Sequence, residues 1–256
     1  MRQILLALAF CAAFLGSALA QGGMMPGPGT VHSTGSSAPP FKWVQGQSNA
    51  FTGAGTTVDV GFTGTLGACG SFTAGDFIGM AVVATNTTTA TITLPTGFTA
   101  LGTQVATTTN TVKYGYKIAT GSETCGSGQL TATFGASTTF AWTIFAYSAA
   151  NATPLDGTPS TTTYSTAGTN TISMTGPTTS TSPTRLIAVI MGDNPPNAIT
   201  ASGTMTGRFS QNQEVDTTQA FLADKLVSGT GAQNETATQG TTNFFNGAYA
   251  LFAIKP

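Results

Sequence analysis

The segment Tyr116–Ser122, YKIATGS, returns as Asp224–Thr230, DKLVSGT, within a longer series of segments that recur in one order. TTVDVGF (56–62) is answered by NTISMTG (170–176), DFIGMAVVATN (76–86) by RLIAVIMGDN (185–194), and TITLPTGFTALG (91–102) by AITASGTMTGRF (198–209). TVKYGYKIATGS (111–122) is answered by TQAFLADKLVSGT (218–230), and TTFAWTIFAYS (138–148) by FFNGAYALFAI (244–254). The spacing is steady: 109 residues separate Asp76 from Arg185, 108 separate Lys117 from Lys225, and 105 separate Phe140 from Phe245. A period of that size reads as an internal duplication, which takes precedence over any local feature. The copies are expected over about 51–150 and 165–256.

Each copy consists of strand signals. VDVGF alternates apolar residues, while the segments starting at Phe77, Phe140, Arg185 and Phe245 are apolar on both parities, as strands covered on both faces are. Gly and Thr clusters separate the runs, and NATPLDGTPS (151–160) breaks the two copies apart. Thr is about a fifth of the 256 residues and Gly numbers 32, a mixture suited to strands and tight turns and poor for helices. Either each copy closes a small sandwich of its own, or the two intercalate. The doubly apolar strands favour the second, an all-β, jelly-roll-like antiparallel sandwich built from two intercalated repeats.

The first twenty residues have a positive start at Arg2, an apolar run over Ile4–Leu15 and Ala18-Leu19-Ala20 before Gln21, the pattern of a cleaved signal peptide. The run is shorter than the roughly 20 residues a span requires, so no membrane span is expected after cleavage. Residues 21–50 contain GGMMPGPGTVHSTGSSAPP and are expected as a flexible Gly/Pro/Ser-rich arm ahead of a sandwich over 51–256. Export places the chain in the periplasm, outside the cell or at its surface. Cys11 leaves with the signal, so Cys69 and Cys125 remain as a pair expected to form a disulfide in that oxidising compartment. The alternative is two buried thiols.

Only 7% of residues are charged and the formal net charge is -1, so there is no basic field for nucleic acid. The one histidine, His32, falls in the arm, which argues against a triad, a histidine base or a zinc site. The acids are scattered one to a segment. Glu214 and Asp216 form the only close pair, read as solvated surface rather than the facing carboxylates of a glycosidase. Calcium tolerates scattered oxygens, which leaves Asp193 or that pair open to it, but no EF-hand spacing is present. No metal and no cofactor are therefore expected.

GDFIGMAVVAT, PTGFTALG, YKIATGSETC, FAWTIFAYS, PLDG, RLIAVIMGD and ADKLVSGTGA together resemble a loosely defined family of β-sandwich proteins found among bacterial secreted proteins and phage tail or virion proteins. The resemblance covers about Val58–Pro256. It implies the fold and supplies no catalytic residue. The Cys pair and the export signal depart from many such proteins and favour secretion, with virion association as the alternative.

The expected function is that of a non-catalytic, exported structural or adhesive module, not an enzyme, with a protein or surface-glycan partner and self-association into a homo-oligomer compatible with it. The rival reading is a lectin-like carbohydrate-binding module, for which Trp43, Tyr114, Tyr116 and Tyr164 offer stacking faces; a glycoside hydrolase ranks third. Tyr114 and Tyr116 share a parity, which suits a sugar platform or core packing, with packing favoured.

Overall fold

With β-branched, aromatic and small residues grouped between Gly and Thr turns, every regular element among the described residues is a strand. A computed structural model describes residues 42–60, 71–124, 128–148, 150–166, 169–193, 198–213, 218–240 and 246–256, all within the unit Ser37–Pro256.

The first half contains β1 (Trp43–Asp59), β2 (Phe77–Thr85), β3 (Ile92–Thr93), β4 (Thr99–Ala100), β5 (Val105–Ala106), β6 (Thr111–Ile118) and β7 (Thr131–Tyr147). The second contains β8 (Ser160–Ser165), β9 (Thr171–Met174), β10 (Thr178–Thr179), β11 (Thr184–Asp193), β12 (Ile199–Ala201), β13 (Thr206–Gln213), β14 (Thr218–Val227), β15 (Gly231–Ala232), β16 (Glu235–Gln239) and β17 (Asn246–Ile254). The large sheet of the first half runs β1-β7-β2-β6-β4, and that of the second runs β8-β17-β11-β14-β13. These are the same order, strand for strand.

The small layers correspond as well. In the first half β3 pairs with the beginning of β7, which also pairs with the end of β1. In the second, β12-β16-β9 is a separate sheet in the same arrangement. The long strands β1 and β7 therefore do in one piece what β8 with β9, and β16 with β17, do in two.

The expected all-β antiparallel sandwich is what forms. In one respect it differs from the intercalated arrangement: among the described residues every ladder joins strands of the same half. The large sheets instead meet face to face, β1 against β13, β7 against β14, β2 against β11 and β5 against β8. Exchanging the halves maps β2 against β11 onto itself, and maps β1 against β13 onto β8 against the β4–β5 edge, where β5 meets β8. Residues Trp43–Ala50, expected in the arm, are already paired with β7.

Three apolar layers follow from strand parity. Ile78, Met80 and Val82 pack toward β3 and the first residues of β7; Leu186, Ala188 and Ile190 pack toward β9 and β12. Phe77, Ala81 and Val83 meet Ile187, Val189 and Met191 in the layer between the halves. Both large sheets are thus covered on both faces, the physical reason their central strands are apolar throughout.

Candidate functional site

The ladders fix which residues of the two halves are equivalent. Phe77 lies opposite Ile118 and Tyr147, and Arg185 lies opposite Leu226 and Ile254. Tyr116 lies opposite Gly79 and Thr99, and Asp224 lies opposite Ile187 and Thr206. Phe77 and Arg185, Tyr116 and Asp224, and Tyr147 and Ile254 therefore occupy matching places. Two residues beyond Thr99 and Thr206 stand Leu101 and Arg208.

At one end of the interface these places are apolar. Phe77 stacks on Tyr116 with ring centroids 5.5 Å apart, and Leu101 and Ile254 belong to the same inter-half core. At the other end they are polar. Asp224 is 1% exposed and would be strongly disfavoured there without compensation. Its carboxylate accepts a bond from Arg185 Nη1 at 2.6 Å, a bidentate pair from Arg208 at 2.5 and 2.9 Å, and the Tyr147 hydroxyl. Arg208 sits on the irregularity between Gly207 and Phe209, where a bulge redirects its side chain toward the carboxylate. The Arg185 guanidinium also lies 5.6 Å from the Tyr147 ring centroid. Burial, and then the charge of Asp224, push the Tyr147 phenol well above its ordinary range, so it stays a neutral donor. The hydrogen bond that Arg208 donates to Asp224 raises the pKa of its guanidinium further still.

Arg185, Arg208 and Asp224 of this cluster form one wall of an open groove of about 500 Å³. Lys225, Leu226 and the turn Ser228–Thr230 form another, so the groove is built on the segment DKLVSGT. Lys225 pairs with Glu235 of β16. A second groove, of about 490 Å³, lies between Thr85–Thr91 and Gly135–Thr139 and is lined almost wholly by small neutral residues.

The candidates expected from sequence fall elsewhere. Tyr114, 1% exposed, belongs to the inter-half core, and Tyr164 is buried in the second half's core, so neither presents a ring to solvent. Tyr116 is half-buried against Phe77. Packing, the favoured reading for Tyr114 and Tyr116, is where both rings are engaged. Trp43 begins β1, but its side chain lies outside the described residues, as do Cys69, Cys125, Glu214 and Asp216 and the side chain of Asp193. Among the described residues, no three His, Cys, Asp or Glu side chains converge where a metal ion would sit.

The remaining buried acids hold loops. Asp76 accepts the Thr73 amide at 2.9 Å. Asp156 accepts the amides of Ser180 and Thr181 and the Ser180 hydroxyl at 2.8–3.0 Å, tying the join between the halves to the start of β11. Glu123 accepts the amides of Thr120 and Gly121 and is paired with Lys117 at 2.6 Å.

The Arg185–Arg208–Asp224–Tyr147 cluster was not singled out by sequence reasoning. Its one signal is the exchange of Tyr116 for Asp224 between the copies, which puts a charge where the other copy has an aromatic ring. No family model, curated protein or solved structure matches the chain.

Proposed function

We propose that the chain is a non-catalytic, exported β-sandwich acting as a structural or adhesive module, secreted or held at a surface and contacting a protein or glycan partner. The observation that carries this reading is how the acids are used. Asp76, Glu123, Asp156, Asp224 and Glu235, the buried carboxylates among the described residues, are each bound to backbone amides, hydroxyls or cations that hold loops and sheets in place. A carboxylate committed in this way is poorly placed to shuttle protons in hydrolysis. The four stacked β layers also make a rigid body on which loops can vary, a common design for binding modules. The signal-like leader and the Gly/Pro-rich arm support export and tethering.

The second reading, a carbohydrate-binding module, is favoured by the groove at DKLVSGT, where hydroxyls, an amide and cations line one open surface. Both readings predict binding without turnover. Purified mature protein incubated with a panel of cell-wall and capsular polysaccharides is expected to co-sediment with a subset and release no new reducing ends. Reducing ends that appear, and vanish on substituting one of the acids above, would overturn the non-catalytic reading.

A further inference from the structure

Both large sheets end at one flank of the body in a long strand with an open edge. Among the described residues β1 pairs only with β7, and β13 only with β14. β1 lies against β13, so the two open edges sit one above the other. Half the residues of such a strand present their N–H and C=O groups sideways, where water or another strand must satisfy them.

Natural sheet edges are blunted by brevity, proline, lysine or a bulge. The opposite flank is blunted in this way. There β4 and β5 have 2 residues each and β8 has 6, and the Thr161 hydroxyl donates to the Thr103 carbonyl at 3.4 Å, tying β8 to the link between β4 and β5. The flank of β1 and β13 lacks such devices over most of its length. Residues 43–51 hold no charge and no proline, and β13, with 8 residues, holds only Arg208, whose guanidinium is turned inward to Asp224. Each strand has an irregularity, between Trp43 and Gln45 and between Gly207 and Phe209, at the end where Tyr147 meets Asp224. Residues 45–51 and 209–213 keep a regular register toward the other end.

We infer that two copies of this chain pair through this flank, β1 with its counterpart and β13 with its counterpart, about one two-fold axis normal to the sheets. An axis in that direction makes both pairings antiparallel, so both large sheets run on from one copy into the other. Each patch then meets itself, and like charges near the axis would oppose pairing; residues 45–51 and 209–213 carry none. Area explains why both layers are needed. The 8 residues of β13 span about 27 Å at about 3.4 Å each, and two sheets about 10 Å apart with their side chains present about 20 Å of depth. The patch is on the order of 1,000 Å² for the two copies together, the least that a specific interface requires, and one layer alone would supply about half. Such a dimer doubles the loops offered to a surface, which raises avidity without a new contact. It goes beyond the adhesive reading and does not depend on it.

The test is sedimentation velocity of the mature protein from about 1 to 100 μM, the range in which a small interface dissociates. A concentration-dependent shift from monomer to dimer is expected. Gln47→Lys on β1 and Ser210→Lys at an exposed position of β13 each set like charges near the axis and should raise the dimer dissociation constant by at least about tenfold. Thr162→Lys, exposed on β8 at the opposite flank, should leave it unchanged. Circular dichroism identifies the variants that fold, and where one edge variant does not, the other carries the test. A monomer throughout the range, a dimer that a folded edge variant leaves intact, or one that only Thr162→Lys breaks overturns the inference. Species that keep growing beyond the dimer mean head-to-tail pairing of the two flanks and overturn it as well. Loss of polysaccharide co-sedimentation with the dimer intact would instead count against the adhesive reading, a separate failure.

Discussion

Tyr147 of the first half donates its phenolic hydroxyl to Asp224 of the second, across the layer between the two large sheets. The matching places hold Ile254 and Tyr116, so an interface that is nearly symmetric in its backbone is ionic at one end and apolar at the other. The apolar end demonstrates that this fold does not need charge there.

Removing the carboxylate alone should be costly. Asp224→Ala leaves the guanidinium groups of Arg185 and Arg208 facing each other in a largely buried space, with side-chain exposures of only 12% and 26%. Breaking a buried ion pair from one side costs about 3–5 kcal/mol. Urea unfolding of the variant should show a loss of that size, with the unfolding slope unchanged.

Acid should act through Glu123. Burial alone would raise its pKa, but the bond from Lys117 and those from Thr120 outweigh it and bring the group from 4.5 down to about 2. A carboxylate lowered by folding stabilises the fold fully above its ordinary value, and that contribution fades as pH falls from about 4.5 toward 2. Lys117→Gln removes the chief lowering partner. The pH midpoint of acid unfolding, followed by near-ultraviolet circular dichroism, should then move upward. Asp156 is lowered too, its amide and hydroxyl bonds from Ser180 and Thr181 outweighing burial, so Ser180→Ala should move the midpoint the same way.

Gly79 has no room for a side chain. A Cβ at this position would lie 2.2 Å from the Phe145 ring, in the middle of the layer between the halves. Gly79→Ala should destabilise the protein by about 1–3 kcal/mol through overpacking, and adding Phe145→Leu should return part of the loss. Additive thermal shifts in the double variant would contradict this contact.

Ser71 and Thr124 form an antiparallel bridge, and the Phe72 amide donates to the Glu123 carbonyl at 3.1 Å. In the sequence, Cys69 precedes the first of these residues by two positions and Cys125 follows the second directly. Protein collected from an oxidising compartment should have no thiol reactive to alkylation when denatured, and reduction should cost about 2–4 kcal/mol.

The strands were legible because their cause is local. Segments such as Phe77–Thr85 and Thr184–Asp193 are apolar on both parities, and only a doubly covered strand sustains that. The stacking of the halves was not legible, since a strand covered by its sister half and one covered by an intercalated neighbour have the same pattern. Parity grouped Tyr114 with Tyr116 correctly on one strand but could not say that Phe77 would cover one ring and the inter-half core the other. The ionic cluster draws on β7, β11, β13 and β14, and no sequence window holds all four residues. What the sequence did show was the exchange of Tyr116 for Asp224, the mark of the place where the two halves part in chemistry.

The most direct test of binding without turnover is co-sedimentation of the purified mature protein with a panel of cell-wall and capsular polysaccharides, read together with a reducing-end assay on the same samples. The account predicts that the protein sediments with a subset of them and releases no new reducing ends. Reducing ends that appear, and vanish on substituting one of the buried acids, would contradict it.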